Sequence, residues 1–552
     1  MPDADVVIVG LGAAGGVVAR ELTTNGLSVV GIEAGPMPGP HDQDELRNVI
    51  DARLSNTVHD TPESYKQYGQ SSEEATEGKF NLYGRCVGGS SVHYCGVMWR
   101  LLPEHFNMRS EFGDLDGANV ADWPIDYEDL KPYYERAESE IGISGPDGGQ
   151  PTHPDSWSYP MDPVPETRSG ELFRQGAEQL GLRPFTSPQA VLTESYDGRP
   201  PCTYCGHCCF YGCYEQAQGA KSNSLVAMIP EARDSGNFEI RDECLAKTVL
   251  VDSDGRVSGV RYVDKSDGTE QTVTADAVVV SGNAIETPRL LLNSASEQYP
   301  DGLANSSGQV GRNLMFHMDY TQIFAKFENP TKQNRGTWSN KAVDDFILPN
   351  RIDEDVDFIT GSNLQLASVN APILYGGNWK QLYAGGKTPP GTPTWGEGFL
   401  EEMSDFENIV WVWAPVEDVP RERNRVQPDP NNTDEWGIPG VEVTYENHPQ
   451  DFRAQEYVVE RCKEIFEAAG ATEVWSAGTG THHRGSSHLM GTCRMGRDPD
   501  ESVVDSFGRT HDVENLFVVD GSPFVTSAGY NPTETIYALA FRTAEEIRTE
   551  WV

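Results

Sequence analysis

Residues 5–33 constrain the fold more than any other stretch of the chain. Asp5-Val6-Val7-Ile8-Val9 is apolar almost without a break, as a parallel strand covered on both faces requires. Gly10-Leu11-Gly12-Ala13-Ala14-Gly15 follows, a helix is expected from Gly16 to Thr24, and a second strand from Leu27 to Ile32 ends at Glu33. This is a G-x-G-x-x-G turn between strand and helix, with an acid 18 residues after its last glycine. Gly10, Gly12 and Gly15 let the backbone approach a pyrophosphate at a helix N-terminus, and Glu33 is placed to accept from a ribose hydroxyl. A tight βα turn without a ligand would need the glycines but not the acid.

The rest of the chain completes such a fold from far away. Phe238–Ile240, Thr248–Val251 and Val257–Val263 read as short strands, with Gly255 in an Asp-Gly hairpin turn. Ala277–Val280 reads as a buried strand, followed by Gly282-Asn283-Ala284 and a helix through Leu292, more than 200 residues after the first turn. Leu516–Val519 is a further buried strand ending at Asp520-Gly521. After Asn531-Pro532-Thr533 a last helix begins, with Pro532 in its first turn and Ile536, Leu539, Ala540, Thr543, Ala544 and Ile547 as its apolar stripe. Residues 121–215, rich in Pro, Tyr, Asp and Gly, are expected to be loop-dominated. Residues 320–480 mix strands, polar loops and one amphipathic helix from Gln450 to Ala469.

Charge excludes one function class. Against 85 Asp+Glu stand 42 Lys+Arg, a formal net charge of −43, and no basic run exists to bind nucleic acid or an anionic membrane. The acids are spread along the whole chain and Arg outnumbers Lys by more than two to one. Such a surface suits a halophilic cytoplasm, where the Debye length shrinks to ~3 Å at 1 M salt and self-repulsion is screened. Composition resembles that of proteins from salt-in archaea. Neither a targeting segment nor an apolar stretch of membrane-spanning length is visible, so a cytoplasmic location is expected.

Taken together, the motifs resemble the glucose–methanol–choline (GMC) family of flavin oxidoreductases. The resemblance rests on the N-terminal turn with Glu33, on Gly84-Arg85 through Gly96, on Ala277 through Pro288, and on Val310-Gly311-Arg312-Asn313-Leu314. It also rests on His488-Leu489-Met490-Gly491-Thr492-Cys493-Arg494-Met495-Gly496 and on Val519-Asp520-Gly521 through Asn531-Pro532-Thr533. It implies an α/β fold: a Rossmann-like FAD-binding domain built from residues 1–120, 215–320 and 485–552, with an α+β substrate-binding domain around an antiparallel sheet from residues 121–214 and 321–484. The ADP part of FAD would lie on Gly10, Gly12, Gly15 and Glu33, with Val249 near the adenine. Arg85, Gly89 and Ser90 resemble the segment along the pyrophosphate and isoalloxazine, and Asp520 with Gly521 the residues beside the pyrophosphate or ribityl chain. At Pro532 and Thr533 the positive end of the last helix could stabilise a reduced, anionic flavin. His93 stands where some members attach FAD covalently and others merely pack a histidine.

The implied chemistry is oxidation of a CH–OH group, in an alcohol, polyol, sugar or aldonate, by hydride transfer to flavin. His488 would be the general base and Asn531 the group orienting the substrate hydroxyl. Electrons would pass to an acceptor other than NAD, through an acceptor protein or small subunit. An oxygen-using oxidase, a lyase-type or sterol-type member, and a flavin-binding subunit whose catalysis has lapsed are the other readings. Five of the ten cysteines fall between Cys202 and Cys213. This segment resembles the cysteine-rich stretch of FAD sugar dehydrogenases that carry a three-iron cluster, and also Cys-Gly-x-Cys segments of long-chain alcohol oxidases. Its spacing departs from the former. Cys205, Cys208, Cys209 and Cys213 therefore stand as ligands of an iron–sulfur cluster or zinc, or as reduced thiols.

Overall fold

A computed structural model of the protein describes residues 2–38, 60–66, 76–78, 81–204, 219–318, 321–333, 335–368, 375, 387–480 and 485–551. The first turn behaves as its sequence demands. Strand β1 (Ala4–Val9) feeds helix α1 (Ala13–Thr24), which returns to β2 (Val29–Ile32), and β1 and β2 pair in parallel from Val6 opposite Val29 to Val9 opposite Ile32. β3 (Phe238–Arg241) adds on the far side of β2, also parallel.

On the other side of β1 lies a strand that serves two sheets. β4 (Cys244–Val251), β5 (Val257–Asp264) and the first half of β6 (Thr269–Val280) form an antiparallel meander, with Thr269 to Thr274 opposite Asp264 to Gly259. The second half of β6 pairs in parallel with β1, Ala275 opposite Ala4 and Val280 opposite Val9. Leu516–Val518 completes the parallel set against Val278–Val280. Burial follows the change of partner: Thr269–Thr272 are exposed, whereas Ala277–Val280 are fully buried between layers. Helix α2 (Asn283–Asn293) leaves the end of β6.

A second, antiparallel sheet faces this one. Its order is β8 (Ser339–Val343), β9 (Leu364–Ala367), β10 (Ile409–Trp413), β7 (Gln322–Lys326) and β11 (Glu473–Ala477). Period-two alternation divides it. Val410 and Val412 of β10 join Ile323, Ala325, Leu364 and Leu366 in a core against helix α3 (Pro449–Ala468) and helix Arg168–Gln179. Trp411 and Trp413 point the other way, toward the dinucleotide fold.

Residues 121–215 differ from expectation, because helices Tyr127–Ile141 and Arg168–Gln179 lie within them. The first is started by a reciprocal cap: Asp126 Oδ1 accepts from Asp129 N at 2.9 Å, and Asp126 N donates to Asp129 Oδ2 at 3.1 Å. It buries Leu130, Tyr134, Ala137 and Ile141 against the C-terminal helix α4 (Thr533–Trp551), which also packs on α1. Thr167 caps the second through Gly170 N at 3.0 Å. Caps carried by Asp and Thr look, in sequence, like the turn residues around them.

Candidate active site

Between the C-terminal ends of β1, β2 and β6 and the antiparallel sheet lies a cavity of about 840 Å³, near the top of the ~300–1,000 Å³ range of ligand sites. Its wall at α1 is bare backbone. Gly10 has φ +90°, and a Cβ there would lie 2.4 Å from Ser281 O; a Cβ on Gly15 would lie 2.0 Å from Gly10 O. Gly89, at φ +54°, would bring a Cβ to 2.7 Å from the Cα of Gly12. The two glycine segments thus touch through main chain, and among the described residues no side chain caps α1 at Gly12.

Glu33 lines this cavity and is nearly buried. Its Oε2 accepts from Leu11 N at 2.9 Å and its Oε1 from Gly35 N at 3.0 Å. Burial pushes its pKa up to about 7 despite these two amides. Arg85 also lines the wall, paired with Asp60; Ser90 Oγ accepts from Gly84 N at 2.9 Å, and His93 N donates to Ser90 O. Asp520 sits at the end of the last parallel strand, its Oδ2 accepting from Asn283 N and Thr287 Oγ1 and its Oδ1 from Ser522 N and Oγ. Gly521 must be small, since a Cβ would lie 2.2 Å from Leu489 O, and its own carbonyl accepts from Gly491 N. Pro532 and Thr533 bring the N-terminus of α4 to the cavity. Val249 stands apart: its N–H donates to Ser294 Oγ at 2.9 Å, its side chain is buried in the core, and Cys244–Lys247 form the wall nearby.

At the opposite end the cavity meets the second sheet. Gln322, Trp413 and Gln365 form one cross-strand row, each amide residue opposite Trp413 in register. Trp413 packs on the His488 ring at a centroid distance of 5.6 Å. Asn531 Oδ1 accepts from Trp99 Nε1 at 3.0 Å and from Gln365 Nε2 at 2.8 Å. Two N–H donors on one oxygen fix which way the amide faces, so Nδ2 is the atom turned to His488 Nε2, 3.4 Å away. Behind His488 lies His317, completely buried, with the two Nδ1 atoms 2.7 Å apart. The other nitrogen of His317 faces the carbonyls of Ser527 at 3.2 Å and Ala528 at 3.1 Å. Burial drives the pKa of His488 well below the usual imidazole value, and that of His317 down to about 4.

The structure therefore gathers His488, Asn531, Gly10, Gly12, Glu33, Arg85, Gly89, Ser90, His93, Asp520, Gly521, Pro532 and Thr533 on one cavity, with Gly15 packed directly behind its wall. Sequence reasoning missed His317, Trp99 and Gln365. The available signal was His317 itself, a polar residue inside the apolar run Leu314–Met318. Cys205, Cys208, Cys209 and Cys213 lie outside the described residues. Among the described residues, no cluster of three or more His, Cys, Asp or Glu could hold a metal, and no helix is long and apolar enough to cross a membrane.

Bare glycine backbone, an acid among amides and two helix N-termini on one cavity fit a dinucleotide such as FAD. Comparison with known proteins agrees. Over 98% of this chain and 95% of its own length, 2-methyl-1,2-propanediol dehydrogenase of Mycolicibacterium austroafricanum is 32% identical. The gluconate 2-dehydrogenase flavoprotein of Pantoea cypripedii is 29% identical over 99% of this chain and 94% of its own length. The crystal structure of pyridoxine 4-oxidase from Mesorbium loti shares the fold, with TM-score 0.64 and 18% identity over 99% of both chains. Since family models described as GMC oxidoreductase match residues 5–319 and 420–540, the chain belongs to the GMC family of FAD oxidoreductases.

Proposed function

We propose that the protein oxidises a CH–OH carbon of a small hydroxylated compound, an alcohol, diol, sugar or aldonate, and passes the electrons to an acceptor other than NAD. The observation that carries this reading is the pairing of His488 Nε2 with Asn531 Nδ2 on the cavity wall. Gly10, Gly12, Glu33, Arg85, Gly89, Ser90, Asp520 and the N-terminus of α4 would hold FAD, which would supply the hydride acceptor. His488 takes the hydroxyl proton on Nε2. Burial holds its pKa well below the usual imidazole value, which favours the neutral ring that a base must be. Asn531 donates from Nδ2 to the substrate oxygen, and Trp99 and Gln365 hold that amide in place. Trp411, Trp413 and Trp338 give the substrate an apolar surface with the Gln322 amide beside it, a combination suited to carbon chains bearing several hydroxyls.

The chain has a single G-x-G-x-x-G turn, and its assignment to FAD in this reading supports an acceptor protein or small carrier in place of NAD. Anaerobic mixing of the holoenzyme with alcohols, diols, aldoses and aldonates should bleach the flavin band with at least one of them. Should no hydroxylated compound reduce the flavin, the reading fails.

A further inference from the structure

We propose that His317 is a positioning residue: with the carbonyls of Ser527 and Ala528 it locks His488 in the tautomer whose Nε2 is unprotonated, and it shares the proton that His488 removes from the substrate. The proposal rests on the oxidoreductase reading above for the second of these roles only.

His317 Nε2 faces two carbonyl oxygens, at 3.2 and 3.1 Å, and neither can donate. That nitrogen therefore carries a hydrogen. A neutral His317 then has a bare Nδ1, and the atom 2.7 Å from it is His488 Nδ1. A contact that short needs one hydrogen, so His488 Nδ1 is the donor. A neutral His488 protonated at Nδ1 has its lone pair at Nε2, the atom turned to Asn531 Nδ2, itself a donor. Each group in the row has one consistent assignment, and the row starts at main-chain carbonyls that cannot titrate. Reversing the His488 tautomer would set Nε2–H against Asn531 Nδ2–H and leave two bare nitrogens 2.7 Å apart.

Chemistry follows from the same row. When Nε2 accepts the hydroxyl proton, His488 becomes a cation with hydrogens on both nitrogens. The Nδ1 hydrogen can then move toward His317 Nδ1, so the charge is divided between the two rings, and the Ser527 and Ala528 carbonyls accept from the His317 Nε2–H of the cation. The proton leaves the substrate oxygen and stays within the pair, while the hydride travels separately. A carboxylate in place of His317 would orient His488 equally well. It would also raise the pKa of His488 and hold it as the cation before substrate arrived. An imidazole, buried completely and turned edge-on to His488 (interplanar angle 87°), orients without adding a charge.

The test uses the holoenzyme and the variants H317N, H317Q and H317F. Asn places an amide oxygen near the position of Nδ1, whereas Gln places its amide near Nε2 and Phe offers nothing. Anaerobic stopped-flow measurement of limiting flavin reduction should show a loss of about 10²-fold or more in H317F and H317Q, little change in substrate Kd, and recovery of at least tenfold of that loss in H317N. Independently of turnover, ¹⁵N spectra of [¹⁵N]His-labelled protein, with His488 assigned by its disappearance in H488Q, should show Nδ1 protonated and Nε2 bare. The same pattern should persist in H317N and be lost in H317F. Should H317F not retain FAD, the contrast between H317N and H317Q serves alone. Wild-type Nε2 found protonated, H317F reduced at the wild-type rate, or H317N no faster than H317Q would each overturn the proposal. A wild-type flavin that no alcohol reduces would sink the oxidoreductase reading while the nitrogen spectra still judge the tautomer.

Discussion

Glu33 gives a test of how the dinucleotide wall is held. In the folded protein its carboxyl lies buried at the end of β2 and is pushed from an ordinary 4.5 up to about 7. A carboxyl with a raised folded pKa binds more protons folded than unfolded between those two values. Its stabilising contribution is thus present in full below about pH 4 and disappears as pH rises through 7. At ~1.4 kcal/mol per pH unit, the rise from 4.5 to 7 corresponds to about 3 kcal/mol. Glu33→Gln cannot ionise, so its stability carries no such pH dependence, whatever constant penalty the amide adds where it meets Leu11 N or Gly35 N. Unfolding entropy of ~2.1 cal/mol/K per residue over this chain is about 1.2 kcal/mol/K, which makes 3 kcal/mol a change of about 2–3 °C in Tm. Thermal unfolding of FAD-free protein at pH 5 and pH 8, at one salt concentration, should show wild type losing about 2–3 °C more than Glu33→Gln over that interval. Other buried acids contribute equally to both proteins and cancel. A wild-type-minus-variant difference independent of pH, or one growing in the opposite direction, would refute the burial argument.

Three further outcomes are expected. Gly89→Ala forces a Cβ to within 2.7 Å of Gly12 Cα at a positive φ, so the purified variant should keep its circular dichroism yet carry a small fraction of the wild-type FAD absorbance. Trp99→Phe keeps the stack on Tyr530 but removes one of two donors to Asn531 Oδ1, worth about 1 kcal/mol; limiting flavin reduction should slow about fivefold with substrate Kd nearly unchanged. Because the formal charge is −43, Tm should climb steadily from 0.1 to 2 M salt, and a flat profile would end the halophilic reading.

What the sequence made legible was local chemistry. Gly10, Gly12, Gly15 and Glu33 fall within one strand–turn–helix–strand unit, and each residue type answers a need of that unit alone. His488 and Asn531 sit in recognisable neighbourhoods, although they are 43 residues apart and meet only at the cavity. Their supports were hidden for a different reason. Trp99 reaches Asn531 across 432 positions and His317 reaches His488 across 171, and neither pairing leaves a trace in spacing. Helix Tyr127–Ile141 was masked by Pro132 and by the Asp pair that caps it, residues whose local preference is for turns. Val249 lies in the second half of a strand whose first half, Cys244–Lys247, forms the wall.

The double duty of β6 has a consequence for biosynthesis. The first strand leaves the ribosome with β2 at once beside it, but its other neighbour, Ala275–Val280, follows some 270 residues later, and Leu516–Val518 some 240 residues after that. At ~5–20 residues per second, Val278–Val280 wait roughly 10–50 s for that last strand. Throughout that interval Val278–Val280 present an unpaired edge, the kind of surface that recruits strands from other chains. Translation rate and chaperone occupancy should then affect how much active protein a cell obtains from this sequence.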